Sequence, residues 1–249
     1  SEMCIRDRYR LMEDTICAVS TAPGAGGIAV IRISGPEAIA ICNTIFVPRT
    51  AGKGLLSQKA YTLRYGSIRR GEELIDEVLI ALFRAPHSFT GEDTVEITCH
   101  GSVYIQQQIM QLLIERGCRS ALPGEYTQRA FMNGKMDLSQ AEAVADLIAS
   151  TSAGQHRLAL NQMRGGFSHE LKNLREQLLH ITSLIELELD FSDHEELEFA
   201  DRSELSTLAA HIETVISRLA NSFSVGNAIK NGIPVAIIGC LLYTSPSPR

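Results

Sequence analysis

The sequence predicts an α+β protein: a mixed α/β domain, then an all-α helical domain, then the first strand of a third unit. Three observations predict it. Up to Phe131, short β-patterned runs are interspersed with only two helical ones. After Asn133-Gly134 the apolar residues recur at the spacing of long amphipathic helices. Residues 231–239, NGIPVAIIG, read as a turn, a buried strand and a glycine. Strands and helices that segregate along a chain in this way form separate layers or domains rather than an alternating βαβ sheet.

Residues 14–20 and 28–33 carry the β-branched, apolar composition of strands. Between them, Gly24, Gly26 and Ala29 formally match the dinucleotide fingerprint G-x-G-x-x-A. That fingerprint requires a helix after the glycines, and IAVIRI is strand-like, so the glycines are expected to form a tight turn or a close backbone approach. Pro36 opens a short helix to about Phe46. Residues 61–69 and 74–84 read as two strands around a turn at Gly71. Residues 93–99 alternate, with Val95, Ile97 and Cys99 on one face. Residues 103–115 have helical spacing, closed by Gly117.

In the second half, Ser139 and Glu142 are read as a capping box. Val144, Leu147, Ile148 and Leu158 mark the apolar face that follows, and Gly165-Gly166 ends it. Leu171, Leu174, Leu178, Ile181 and Ile185 mark a second helix. Asp201 and Glu204 cap a third, carrying Leu205, Leu208, Ile212, Val215, Leu219 and Phe223. Three long helices, each with one wide apolar face, read as a bundle that lacks a partner helix.

The 249 residues carry a net charge of −6, which argues against gripping nucleic acid along the whole surface. Arg64, Arg69 and Arg70 form a local basic cluster that reads as a solvated strand edge. Six cysteines show neither CxxC nor zinc-ligand spacing, and reduced core thiols in a cytoplasmic protein are expected. No apolar run is long enough to span a bilayer, so no membrane role is expected. SEMCIRDR at the start and CLLYTSPSPR at the end resemble translated adapter sequence, and Met12 is expected as the true start. The domain expectation is therefore 1–11 non-native leader, 12–131 first domain, 132–231 incomplete helical domain, 232–239 first strand of the third, and 240–249 non-native tail.

Several residues stand out chemically. Arg32 interrupts an apolar strand; a guanidinium there needs an anion, either an internal carboxylate or a ligand. Glu96 lies on the face opposite Val95 and Ile97, facing solvent, pairing with Arg32, or accepting from a ligand ring N–H. Lys135 stands just before a helix start, where a cation opposes the helix dipole unless an anion intervenes. His100, before Gly101, is read as a satisfied structural histidine. The acidic run from Asp190 to Glu198 is read as a solvated linker, not a metal site. Gly239 follows a strand in the way the loop G-x-x-x-x-G-K-[ST] opens, but residues 240–245 bring neither the second glycine nor the lysine.

Four strings together resemble one family: STAPGAGGIAVIRISGP, HSFTGEDTVEITCHG, PGEYTQRAFMNGKMDLSQAEAVADLI, and DFSDHEELEF before a helix leading to VAIIG. They resemble the N-terminal half of the MnmE (TrmE) tRNA modification GTPases, over residues 12–239. The resemblance implies a folate-binding, dimerising domain similar to that of glycine-cleavage aminomethyltransferases, a helical domain, and a Ras-like G domain inserted into the latter. It implies a homodimer that works with the flavoprotein MnmG on tRNA, adding an aminomethyl-type (carboxymethylaminomethyl) group to carbon five of the wobble uridine. The one-carbon unit would come from 5-formyl- or methylene-tetrahydrofolate. GTP, Mg²⁺ and K⁺ would serve the full-length family only, so this chain is expected to keep folate binding and dimerisation but not GTP hydrolysis. The family's folate contacts fall on Arg32, Glu96 and Lys135, and Gly239 matches the first glycine of a truncated phosphate loop. A folate-dependent aminomethyltransferase and a non-catalytic dimerising scaffold remain as alternatives.

Overall fold

The computed structural model describes residues 14–50, 54–190, 202–231 and 236. Two compact units divide between Ala141 and Glu142. The first contains seven strands: β1 Ile16–Val19, β2 Ile28–Ser34, β3 Phe46–Pro48, β4 Thr62–Arg70, β5 Glu73–Phe83, β6 Thr94–His100 and β7 Arg119–Ser120. They form one sheet in the order β3-β4-β5-β6-β2-β1-β7. Every neighbouring pair is antiparallel except β1 and β7. The strands expected around Gly71 and before Gly101 are therefore present, and the glycines ahead of β2 do lead into a strand. Gly26 N–H donates to the Gly101 carbonyl at 3.0 Å, which pins that turn to the end of β6.

The strand alternation determines which face is buried. Ala29, Ile31 and Ile33 of β2, Val78, Ile80 and Leu82 of β5, and Val95, Ile97 and Cys99 of β6 form one apolar face. Helix α1, Ala38–Ile45, and helix α2, Val103–Glu115, cover it with Ile39, Cys42, Ile45, Ile109, Leu112 and Leu113. Each such aliphatic side chain contributes about 1.5–3 kcal/mol when fully buried. Cys17, Cys42, Cys99 and Cys118 are free and buried, as core filling requires. Burial, with the Asp76 carboxylate adding to it, pushes the Cys99 thiol up to about 11. The other face of the sheet is open, with Val47, Leu63, Tyr65 and Leu79 all more than two-fifths exposed.

Three short elements and one helix were not anticipated. β3, a 3-10 turn at Leu55–Ser57, and β7 exist through partners distant in sequence. Helix α3, Glu125–Met132, buries Glu125, Arg129 and Ala130 rather than an apolar stripe. The junction beyond it also differs in detail from the reading of the sequence. The reciprocal cap of helix α4, Leu138–Ala149, is Asp137 with Gln140, not Ser139 with Glu142. The Asp137 carboxylate accepts from Gln140 N–H at 2.8 Å, and the Gln140 side chain accepts from Asp137 N–H at 2.9 Å. An aspartate reaches the third N–H as a serine does and adds a favourable charge at the helix start.

The helical run expected to end at Gly165-Gly166 is two helices. Ser152 caps helix α5, Ala153–Met163, in a capping box with Gln155. Three consecutive hydroxyl residues, Ser150, Thr151 and Ser152, compete with the backbone and break the run there. Helix α6, Gly166–Asp190, and helix α7, Arg202–Asn231, follow. At 25 and 30 residues they extend about 37 and 45 Å. Leu174, Ile181 and Val215 are buried, while Leu171, Leu178 and Ile216 stay about half exposed. The acidic run past Asp190, the Asp201 cap, residues 237–239 and both expected non-native ends lie outside the described residues.

Candidate functional site

The site is built on the open face of the sheet. Arg32 on β2 stands directly opposite Glu96 on β6 in the antiparallel register. Their neighbours at odd and even positions alternate as expected, so the strands that bury Ile31 and Ile97 must present Arg32 and Glu96 on the other side. The guanidinium meets the carboxylate through its Nε–Nη2 edge: Nε donates to Oε1 at 2.9 Å, and Nη2 lies 2.7 Å from the same oxygen. The side chains are 28% and 25% exposed, so the pair is shielded but reachable. An internal ion pair and a ligand contact, the two options left open for Arg32, are thus compatible.

Two aromatic rings back the guanidinium. The ring centroid of Phe89 lies 5.6 Å from Arg32 Cζ and that of Tyr126 lies 5.7 Å away, both within cation–π range. The Tyr126 hydroxyl donates to the Arg32 carbonyl at 2.7 Å. Burial pushes the Tyr126 phenol well above its ordinary range, so it stays a neutral donor.

Lys135 reaches the same region through a different element. Helix α3 ends in a Schellman motif: Lys135 N–H donates to the Ala130 carbonyl at 2.9 Å, and Gly134 N–H to Phe131 at 3.0 Å. Gly134 takes φ +68°, which an L-residue adopts only at a cost. The motif places Lys135 just past a helix C-terminus, where a cation is favoured. Lys135 also precedes the helix that starts at Leu138, the position before a helix start read from the sequence. Its Nζ donates to the Pro86 carbonyl at 3.0 Å. Its stem passes so close to Gly91 that a Cβ there would sit 3.3 Å from Lys135 Cγ.

One loop therefore borders both Arg32 and Lys135. The segment between β5 and β6 carries Phe89, beside Arg32, and Pro86 and Gly91, beside Lys135. No hydrogen bond or ion pair links Lys135 to Arg32 or Glu96 among the described residues. Phe89 and Tyr126 were not singled out in the sequence. Both lie inside the quoted strings, but neither aromatic type carries a spacing that marks it as site-forming.

Beneath this surface lies a buried charge network. Arg129, only 2% exposed, donates from Nη1 to the Asp14 carbonyl at 2.8 Å and to both Glu92 oxygens at 3.1 and 3.2 Å. Its Nη2 donates to Glu125 at 3.2 Å. Arg119 clasps Glu125 with two bonds of 2.6 and 3.1 Å. The Ser34 hydroxyl donates to Glu92 at 2.8 Å, two residues along β2 from Arg32. Burial pushes the Glu125 carboxyl up, but Arg119, the Leu122 N–H and Arg129 together outweigh it and hold the group below the usual carboxylate range. The network ties the β5–β6 loop, α3 and the end of β2 into one frame. His100 is satisfied as expected: its backbone N–H and ring Nδ1 both bond the buried Asp76 carboxylate, at 2.8 and 2.7 Å.

The arrangement offers donors, one acceptor and aromatic surface at a shielded sheet face. It contains no nucleophile paired with a base, and no metal-binding cluster of His, Cys, Asp and Glu occurs among the described residues. Such an arrangement can hold the polar groups and a flat face of a bound ligand. Gly239 lies outside the described residues. Among those residues, no helix is long and apolar enough to cross a membrane.

Comparison with known proteins gives matches along nearly the whole chain. The family described as GTP-binding protein TrmE N-terminus matches residues 15–135, and the family described as MnmE helical domain matches residues 138–234. A tRNA modification GTPase MnmE of Parabacteroides distasonis is 80% identical over 226 residues, covering 90% of this chain and 49% of that protein. One from Bacteroides fragilis is 72% identical over 227 residues, covering 91% and 48%. One from Flavobacterium johnsoniae is 58% identical over 227 residues, again covering 91% and 48%. The chain spans about half the length of the curated relatives it matches.

Proposed function

The chain belongs to the MnmE (TrmE) family of tRNA modification GTPases, and on that premise we propose that it is the family's folate-binding and dimerising portion. In this reading a reduced folate, 5-formyl- or methylene-tetrahydrofolate, binds at Arg32, Glu96 and Lys135. Glu96 accepts from the N–H edge of the pterin ring, Arg32 donates to a ring or carbonyl oxygen, and Lys135 pairs with a carboxylate. The folate supplies the one-carbon unit. The whole protein, as a homodimer with the flavoprotein MnmG, places an aminomethyl-type group on carbon five of a tRNA wobble uridine in the cytoplasm.

The observation that carries this reading is the Arg32–Glu96 pair on two strands that bury apolar residues on their other face, with the β5–β6 loop touching both Arg32 and Lys135. A partly shielded ion pair costs desolvation, and a chain that needed only stability would do as well with other residues there. The exposed Val47, Leu63, Tyr65 and Leu79 on the same sheet face support dimerisation through this unit. GTP hydrolysis belongs to the portion the relatives carry beyond this match. This sequence holds no G-x-x-x-x-G-K-[ST] string, so Mg²⁺ and K⁺ are assigned no residues, GTP none beyond Gly239, and no GTP turnover is expected of the chain.

Calorimetric titration of 5-formyltetrahydrofolate into the chain tests the folate reading. Saturable binding is expected, weakened about tenfold or more in Arg32→Ala and in Lys135→Ala, since each loses a charge-assisted contact. A folded protein that binds no folate would overturn it.

A further inference from the structure

We propose that Phe89 and Tyr126 are positioning residues that lock the Nε–Nη2 edge of Arg32 against Oε1 of Glu96, and so leave Glu96 Oε2 and Nη1 of the guanidinium as a fixed acceptor–donor pair for the ligand ring. The inference deepens the folate reading of the same site and rests on it for the identity of the ligand.

A free arginine–carboxylate pair favours a two-on-two fork, in which both carboxylate oxygens are used. Here both arginine contacts converge on Oε1, from Nε and Nη2. Neither Oε2 of Glu96 nor Nη1 of Arg32 has a hydrogen-bond partner among the described residues. One carboxylate oxygen and one guanidinium nitrogen are thus withheld from the internal pair.

Two rings hold that arrangement. Phe89 comes from the β5–β6 loop and Tyr126 from α3, and each places its ring within 6 Å of the guanidinium carbon. Tyr126 is itself fixed by its bond to the Arg32 carbonyl, so the guanidinium and the backbone of Arg32 are both held by the Tyr126 side chain. Arg129 and Glu125, on the same helix turn, tie that helix to Glu92, three residues beyond Phe89. The clamp is therefore seated on the buried charge network rather than on flexible surface.

The unused pair defines the ligand edge it would take: adjacent N–H donors for Oε2 and a carbonyl or ring-nitrogen acceptor for the guanidinium. A 2-amino-4-oxopyrimidine ring, as in a reduced folate, has that edge. A pyrimidine or purine carrying only acceptors there would be refused.

Two measurements on the intact chain test it. Arginine side-chain ¹⁵N spectra report rotation about the guanidinium bonds without any ligand. The Arg32 Nη signals are expected to be separate, and to merge through faster rotation in Phe89→Leu and Tyr126→Phe while Phe89→Tyr retains them. Titration with 5-formyltetrahydrofolate is expected to weaken about three- to tenfold in each of the first two variants. In a Glu96→Gln background the further loss should vanish, because the clamp acts through that pair; a merely structural role would weaken both backgrounds alike. Unchanged Arg32 signals in both variants would overturn the proposal whether or not folate binds. Additive losses in the Glu96→Gln background would overturn it too. A clamp seen in the spectra of a wild-type chain that binds no folate would overturn the folate identity and leave the positioning role standing.

Discussion

Replacing Arg129 with methionine tests the charge network most severely. The substitution keeps most of the volume and removes the cation. Arg129 is 2% exposed and donates to the Asp14 carbonyl, Glu92 and Glu125. Breaking a buried pair by removing one partner costs about 3–5 kcal/mol, because the remaining charge is stranded. Two features pull the figure toward the lower end. Glu125 keeps its two bonds from Arg119, and Glu92 keeps its bond from Ser34. The expected loss is thus about 3 kcal/mol. Arg129→Lys should recover little, since a single ammonium cannot span both carboxylates and the carbonyl. Urea denaturation followed by near-ultraviolet tyrosine dichroism is the suitable assay. The chain has no tryptophan, and the described tyrosines, Tyr61, Tyr65, Tyr104 and Tyr126, all belong to the sheet unit, so the signal reports that unit. A loss below about 1 kcal/mol would refute the reasoning, for it would mean that water or another donor satisfies both carboxylates.

Glu125 links the same network to pH. Its folded pKa is depressed, so its contribution is present above the unfolded glutamate value of about 4.3 and fades as pH falls through the lower folded value. Wild type should therefore exceed Glu125→Gln in stability at neutral pH, and the gap should close in acid; a constant gap down to the acid transition would contradict the assignment. Gly134→Ala forces an L-residue to φ +68° and should cost about 1–2 kcal/mol while displacing Lys135; an unchanged melting temperature with unchanged folate affinity would show that the Schellman turn does not position that lysine. Cys42 and Cys99 are buried and their thiols are pushed up, so both should resist iodoacetamide in the native chain and react on unfolding; mass-spectrometric detection of native-state labelling at either would contradict the packed core.

The parts of the fold legible in the sequence were those written as apolar periodicity. β2, β5 and β6 alternate, and α2 repeats at helical spacing, because each buries one face against the other. The Arg32–Glu96 pair was legible for the complementary reason: a charge on an alternating strand is visible against its neighbours. Elements held by other forces left no such trace. β3 and β7, of three and two residues, exist by pairing with β4 and β1. Helix α3 buries Glu125 and Arg129, so its inward face reads as polar. The α4 cap lay at Asp137 rather than Ser139, since several residues at that junction can cap and only the backbone geometry selects one. Phe89 and Tyr126 act on Arg32 from segments 57 and 94 residues away, a proximity that only the folded sheet creates.

The most direct test of the account is a crystal structure of the chain soaked with 5-formyltetrahydrofolate. The account predicts the pterin on the open sheet face, its N–H edge against Glu96 Oε2, an acceptor atom against Arg32, and the ligand's anionic end toward Lys135. A ligand bound elsewhere, or a fully occupied crystal in which the Arg32–Glu96 edge contacts only water, would contradict it.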